Sequence, residues 1–299
     1  MAFEVISYAL SATPNRVYAM LKLIEELQSS SPSVDLVYSL LQPDSINKNK
    51  ESAESVYGIL QNLGMVSLSQ DTEKTVRLVD DSFLHSFDDF RTKMQQSLLG
   101  AIKPEENNYL FTQFTAWYAV YNQRVLSLRR EDLERKFHED LYPSIIASKS
   151  TRKINDTALL SWGLWARFLG FGREYAFARG QRTLLPNAYV RVNTLLPSLL
   201  PLDGSELPIQ TFLDNLSSYC PELDGGLVFN RVYESVYAQS STQTHLSLML
   251  SSALNTLHIN GIIELIDRAD ALNTRQLFPS QSYQNRVSHV RFRQEITTA

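Results

Sequence analysis

Between Lys149 and Arg191 the chain carries eight cations, Lys149, Arg152, Lys153, Arg167, Arg173, Arg179, Arg182 and Arg191, against two acids, Asp156 and Glu174. Guanidinium forks match phosphate oxygens two at a time, so this segment has the chemistry to grip a nucleic-acid backbone. Six aromatic residues are interleaved with it: Trp162, Trp165, Phe168, Phe171, Tyr175 and Phe177. Aromatic faces can stack on unpaired bases. The helix and strand spacing of most of these rings assigns them to a core instead. For the cations, the alternative to DNA is a solvated face or a dock for an acidic protein surface.

Catalytic patterns are missing from the sequence. It contains no phosphate-cradling glycine loop, no HExxH, no CxxC and no GxSxG. The five histidines, His85, His138, His245, His258 and His289, lack metal-ligand spacing. His138-Glu139-Asp140 and the acidic pairs Asp80-Asp81 and Asp88-Asp89 read as solvated polar surface. Cys220 is the only cysteine, so no disulfide forms within the chain; it is read as a small buried hydrophobe. These observations predict a protein that is not an enzyme and uses no metal or cofactor.

At 299 residues and 43% hydrophobic composition, the chain is long and apolar enough for two or three packed units. Its net charge of −4 is unusual for a protein that simply coats DNA. The distribution is more telling: residues 1–100 sum to −5, 101–200 to +5 and 201–299 to −4. A basic centre lies between acidic ends, which could recruit basic partners or pair with the centre of another copy in a homo-oligomer. No apolar run is long enough to span a membrane. The first residues, Met1 to Val5, carry an acid where a signal peptide is basic. With the single cysteine, this fits a cytoplasmic location.

The elements that must position the cations announce themselves by repetition. Leu60-Gln61-Asn62-Leu63-Gly64-Met65-Val66-Ser67-Leu68 aligns with Leu257-His258-Ile259-Asn260-Gly261-Ile262-Ile263-Glu264-Leu265, and Arg167-Phe168-Leu169-Gly170-Phe171 is a shorter echo. Each reads as a helix that stops at glycine and passes into an apolar strand. That is how the third helix of a winged helix-turn-helix enters its wing. The expected class is therefore mainly α (α+β), with tandem winged-helix-like units and small β-hairpin wings.

The spacing predicts helices from about Pro14 to Gln28, Val34 to Leu41 and Lys50 to Leu63, then a hairpin of Met65–Leu68 with Thr75–Val79. This is a unit over 1–80, followed by a helical connector over 81–104. The region 105–200 holds a long aromatic helix from Asn107 to about Leu128, a helix from Glu131 to Tyr142 and one capped at Asn155. A hairpin with Gly180 at its tip follows, then a helix from Asn187 to Leu200. The last unit, 201–299, begins with a linker from Pro201 to Pro208. It continues with elements at Ile209–Tyr219 and Phe229–Tyr237 and a helix from Thr244 to Ile259. A strand Ile262–Ile266 is expected to pair with Val287–Phe292 across the long loop from Asp267 to Arg286.

The outer faces of the first and last units are poor DNA readers. Glu51 and Glu54 would repel phosphate. The face carrying Gln243, Thr244, His245, Ser247, Ser251, Ser252, Asn255 and His258 has almost no positive charge nearby. Protein contact is their expected use.

Four stretches resemble the DpdG family of winged-helix accessory proteins: Leu63-Gly64-Met65-Val66, Trp165 to Gly172, Cys220-Pro221-Glu222-Leu223-Asp224-Gly225-Gly226 and Leu250 to Gly261. That family belongs to bacterial gene clusters that place 7-deazaguanine bases in DNA and restrict foreign DNA. The resemblance implies a non-enzymatic role in a DNA-modification or defence assembly, with other protein subunits as partners, and it supplies no functional residues. The leading expectation is thus an accessory subunit that contacts DNA through the basic central unit. The alternative is an adaptor whose winged helices make only protein contacts.

Overall fold

A computed structural model describes residues 3–46, 49–69, 74–142, 154–176, 182–238, 244–278 and 286–293. The N-terminal elements are α1 (Pro14–Leu27), α2 (Val34–Leu41), α3 (Glu51–Asn62), β1 (Val66–Leu68) and β2 (Val76–Leu78). Pro14 opens α1, where its missing N–H costs nothing. Ser33 caps α2 by accepting from the Leu36 N–H at 3.2 Å. β1 and β2 pair antiparallel, and a bridge from Ser33 to Thr75 ties the start of α2 to that hairpin. Three helices followed by a hairpin is the order the sequence predicts.

The centre comprises α4 (Phe87–Leu98), α5 (Tyr109–Val120), α6 (Arg130–Leu141), α7 (Asp156–Leu169), β3 (Gly172–Ala176), β4 (Arg182–Pro186) and α8 (Tyr189–Leu199). Every residue of α5 is buried. A helix buried all round has most of its polar groups met internally, and among the described residues the Gln113 amide is the exception on α5. Thr112 and Thr115 donate to the carbonyls of Asn108 and Phe111, four residues back. The free N–H groups of Leu110 and Phe111 donate to the carboxylate of Glu4, at 2.8 and 3.3 Å. The chain's first turns, a 3-10 segment over Val5–Ser11, are therefore stitched into the core.

α5 is shorter than the sequence suggests. It ends at Val120, and Asn122 takes a left-handed conformation (φ 54°) before a 3-10 segment over Asn122–Ser127. From there the Asn122 side chain accepts from the Leu248 N–H, 126 residues away, at the start of another helix. A distant partner has decided the helix end.

The C-terminal elements are β5 (Glu206–Pro208), α9 (Ile209–Tyr219), α10 (Leu227–Tyr237), α11 (Leu248–Ile259), β6 (Ile263–Ile266), β7 (Arg275–Gln276), β8 (Arg286–Val287) and β9 (His289–Phe292). β6 and β9 pair antiparallel as expected, with Leu265 opposite Val290. The sequence reads Pro201–Pro208 as a linker, but its end is an edge strand on the other side of β9, giving the order β5-β9-β6. The long loop has its own short pairing, β7 with β8. α11 starts at Leu248 rather than Thr244 because Ser247 caps it and His245 bridges to Gln276. α10 packs on α5 and α11 on α8, so the C-terminal helices belong to the same core as the centre.

The repeated helix-glycine-strand pattern is one device used three times. Gly64, Gly170 and Gly261 have φ of 66°, 90° and 71°. In each case the next residue's N–H bonds to the carbonyl five residues earlier: Met65 to Leu60, Phe171 to Ala166, Ile262 to Leu257, at 2.9, 2.9 and 3.0 Å. This left-handed closure satisfies a free helix carbonyl and turns the chain into the strand.

Candidate nucleic-acid interface and the cavity beside it

The glycine turn at Gly170 aims β3 back along α7 and sets the central hairpin beside that helix's last turn. β3 and β4 pair antiparallel from Gly172 opposite Pro186 to Ala176 opposite Arg182. Strand alternation puts Arg173 and Tyr175 on one side of β3, and both are exposed. Arg167, in the last turn of α7, reaches Glu174 at 2.8 Å in an exposed ion pair. Arg182 begins β4. Arg167 and Arg173 of the predicted set are thus brought to the end of α7 and to β3. Lys149, Arg152, Lys153 and Arg179 lie outside the described residues.

Arg191 needs a correction, because it is in the interior rather than on the binding face. Its guanidinium donates to Gln95 Oε1 at 3.2 Å, to the Tyr219 carbonyl at 2.8 Å and to Glu222 at 3.4 Å. Gln95 in turn donates to the Leu169 carbonyl at 2.7 Å. This network joins α4, the end of α7, α8 and the loop after α9. Burial pushes the Glu222 carboxyl up, and the neighbouring guanidinium opposes it.

The whole Cys220–Gly226 stretch is structural in the same way. Cys220 is buried, and burial pushes its thiol far above the usual range, so it is no nucleophile at neutral pH. The Asp224 carboxylate accepts from the Ser247 N–H and hydroxyl, both at 2.6 Å, holding the cap of α11. A Cβ on Gly226 would lie 2.5 Å from the Pro221 carbonyl oxygen.

The aromatic residues divide. Trp162, Trp165 and Phe171 are core, Phe168 is half-buried and Tyr175 is in the open; Phe177 lies outside the described residues. On the third unit, Ser247 and Ser251 are buried rather than displayed. Ser251 accepts from the Phe278 N–H at 2.9 Å. His138-Glu139-Asp140 is spent within the fold: His138 meets the Ile154 carbonyl, Glu139 pairs with Arg135, and Asp140 accepts from Trp117 Nε1. Among the described residues no group of three His, Cys, Asp or Glu could hold a metal ion.

The sequence offered no sign of a cavity of about 570 Å³ between α6, α7 and the hairpin. Leucines and the edges of Phe114, Tyr118 and Trp162 line it, with Arg129, Arg130, Arg167 and Glu174 among its walls. Local charge does not single out Arg129 and Arg130, because Glu131 and Asp132 follow at once and cancel it.

Fold and site together define a mainly helical protein with small antiparallel hairpins, whose central hairpin presents Arg173 and Tyr175 to solvent. Among the described residues no helix is long and apolar enough to cross a membrane. A family model described as DpdG-like matches residues 3–271, and the chain belongs to that family. No curated protein and no solved structure matches it.

Proposed function

We propose that this chain is a non-enzymatic accessory subunit of a DNA-modification or defence assembly. In this reading it is built from winged-helix-like units and touches the DNA backbone through α7, β3 and β4. The observation that carries the reading is the exposed pair Arg173 and Tyr175 on one side of β3, next to Arg167. A cation and an open aromatic ring side by side suit phosphate and sugar or base contact. The Arg167–Glu174 pair is no obstacle, since exposed ion pairs are worth about 0–1 kcal/mol and a phosphate can compete for the guanidinium. Arg179 and Arg182 lie between Arg173 and α8 in sequence, and Lys149, Arg152 and Lys153 precede α7 in the chain. Membership of the DpdG-like family supports an accessory role alongside enzymes that place 7-deazaguanine bases in DNA.

The competing reading is a protein adaptor. It is favoured by the exposed Glu51 and Glu54 on α3, which would repel a phosphate backbone. Titration of the full chain onto random-sequence duplex DNA at several salt concentrations separates the two. The DNA reading expects log affinity to fall with log salt by about 0.9 per phosphate contacted. Arg173→Ala, Arg179→Ala and Arg182→Ala combined should flatten that slope and weaken all sequences alike. Salt-independent or undetectable binding by the parent at low ionic strength leaves the adaptor.

A further inference from the structure

Gly163 sits in the middle of α7, where glycine weakens a helix relative to other residues. Nothing around it requires glycine. Its φ is not positive, and a Cβ there would meet no heavy atom within 4 Å. The space it leaves open is the cavity beside the hairpin.

The chemistry of the walls selects what could enter. Leu128, Leu133, Leu159, Leu160 and Leu164 are apolar. The polar atoms of the aromatic residues are already used: Trp162 Nε1 donates to Thr115 Oγ1 at 3.0 Å, and the Tyr118 hydroxyl donates to the Leu184 carbonyl at 2.5 Å. Over this leucine and aromatic surface a nucleobase would surrender its hydration without recovering hydrogen bonds; the donors and acceptors of the lining are Arg129, Arg130, Arg167, Glu174 and Thr183. Apolar side chains lose nothing on entry.

At the mouth, Arg129 and Arg130 reach Asp132 and Asp156 only at 3.4 Å. Charge-assisted bonds usually close to about 2.7–2.9 Å, so these guanidinium groups keep donor capacity for an incoming carboxylate.

The chain carries a matching object on its own surface. Leu36 and Leu40 stand one turn apart on α2, 42% and 48% exposed. Asp35 lies beside them, and no cation occurs in Val34–Leu41. Asp44 and Ile46, the latter 81% exposed, follow directly. The larger charges agree, −5 over residues 1–100 and +5 over 101–200.

We propose that α2 of a second copy docks at the Gly163 cavity, with Leu36 and Leu40 entering it and Asp35 and Asp44 meeting Arg129 and Arg130. The two surfaces differ, so the contact is heterologous: a docked pair keeps one free helix on one copy and one free cavity on the other, and association runs head to tail into a ring or a short filament.

Sedimentation of the full chain without DNA tests this. The parent's average mass should rise with protein concentration and fall with added salt. Gly163→Leu fills the cavity and should weaken self-association about tenfold or more. Its thermal midpoint should be no lower than the parent's, because leucine favours the helix. The double variant Leu36→Ser/Leu40→Ser should weaken association to the same extent from the other side. Mixing the two variants should restore a heterodimer and nothing larger, since one supplies an intact cavity and the other an intact α2.

A parent that stays monomeric at every concentration, a variant that associates like the parent, or a mixture that stays monomeric overturns the proposal. So does a monomeric parent that binds dodecanoate through the cavity, which would assign the site to a small amphipathic anion. The inference does not rest on the DNA reading: Arg173→Ala should lose DNA affinity and keep self-association.

Discussion

Gly170 and Gly64 share a backbone conformation but not a neighbourhood. A Cβ on Gly170 would lie 2.6 Å from the Val190 Cβ and 3.1 Å from the Arg191 nitrogen, whereas Gly64 and Gly261 face open space. Gly64→Ala and Gly261→Ala should each cost about 1 kcal/mol, the strain of positive φ alone. Gly170→Ala should cost about 2–4 kcal/mol, because α8 must also move away from the turn. Urea midpoints of the three variants check this, and equal shifts would show that the close approach at Gly170 carries no energy. The left-handed turns were legible in the sequence, since helix-glycine-strand has a local cause. The difference between the three was not, because it depends on a helix that follows later in the chain. Arg191 teaches the same lesson. Charge density placed it on a binding face, yet its partners Gln95 and Glu222 are 96 and 31 residues away, and no local pattern reports them.

At the scale of elements, what could be read was what local periodicity and capping control. α1, α2, α3 and the β1–β2 hairpin stand where the spacing puts them, and Ser33 and Asn155 cap the helices they precede. Elements governed by distant contacts are not legible locally. The spacing carries the aromatic helix past its end because nothing near Val120 announces that Asn122 will leave to bond the start of α11. The segment before α9 looked like a linker because an edge strand of three residues has little periodicity to show. The N-terminal segment shows its acid but not the role of that acid: Glu4 is buried and holds the start of α5. Removing that carboxylate strands two buried N–H groups in an apolar setting. Glu4→Ala should therefore destabilise the protein by about 2–4 kcal/mol. Glu4→Gln, which keeps one acceptor oxygen, should recover part of the loss. Thermal or urea unfolding of both variants decides it, and a neutral Glu4→Ala would mean the α5 N–H groups find other partners.

For the molecule as a whole, the balance of carboxylates sets how stability changes with pH. Asp224 is fully buried, and desolvation raises its carboxyl to about 6, only partly offset by the two bonds from Ser247. The folded state therefore holds this proton more tightly than the unfolded chain does. Its charged form penalises folding above that value, and stability should rise as pH falls from 7.5 through 6 towards 5. Glu222, pushed up by burial, acts in the same direction. The opposing set is exposed or half-buried: Asp80, Glu106, Asp132, Glu139, Asp203 and Glu264 are held below their usual range, chiefly by hydrogen bonds to their charged forms. Their contribution is present at neutral pH and is lost as pH falls below the usual carboxylate range. Stability should thus peak at about pH 5 and fall on both sides. Asp224→Asn isolates the alkaline limb. It keeps an oxygen for Ser247 and removes the titration, so the rise between pH 7.5 and 5 should shrink by an amount on the order of 2 kcal/mol. The acid limb should remain, since these six carboxylates are untouched. Unfolding free energies of parent and variant at several pH values provide the measurement. If Asp224→Asn leaves the alkaline limb unchanged, Asp224 does not titrate between pH 5 and 7.5, and the cap of α11 is held either by a carboxyl protonated throughout or by a carboxylate charged throughout.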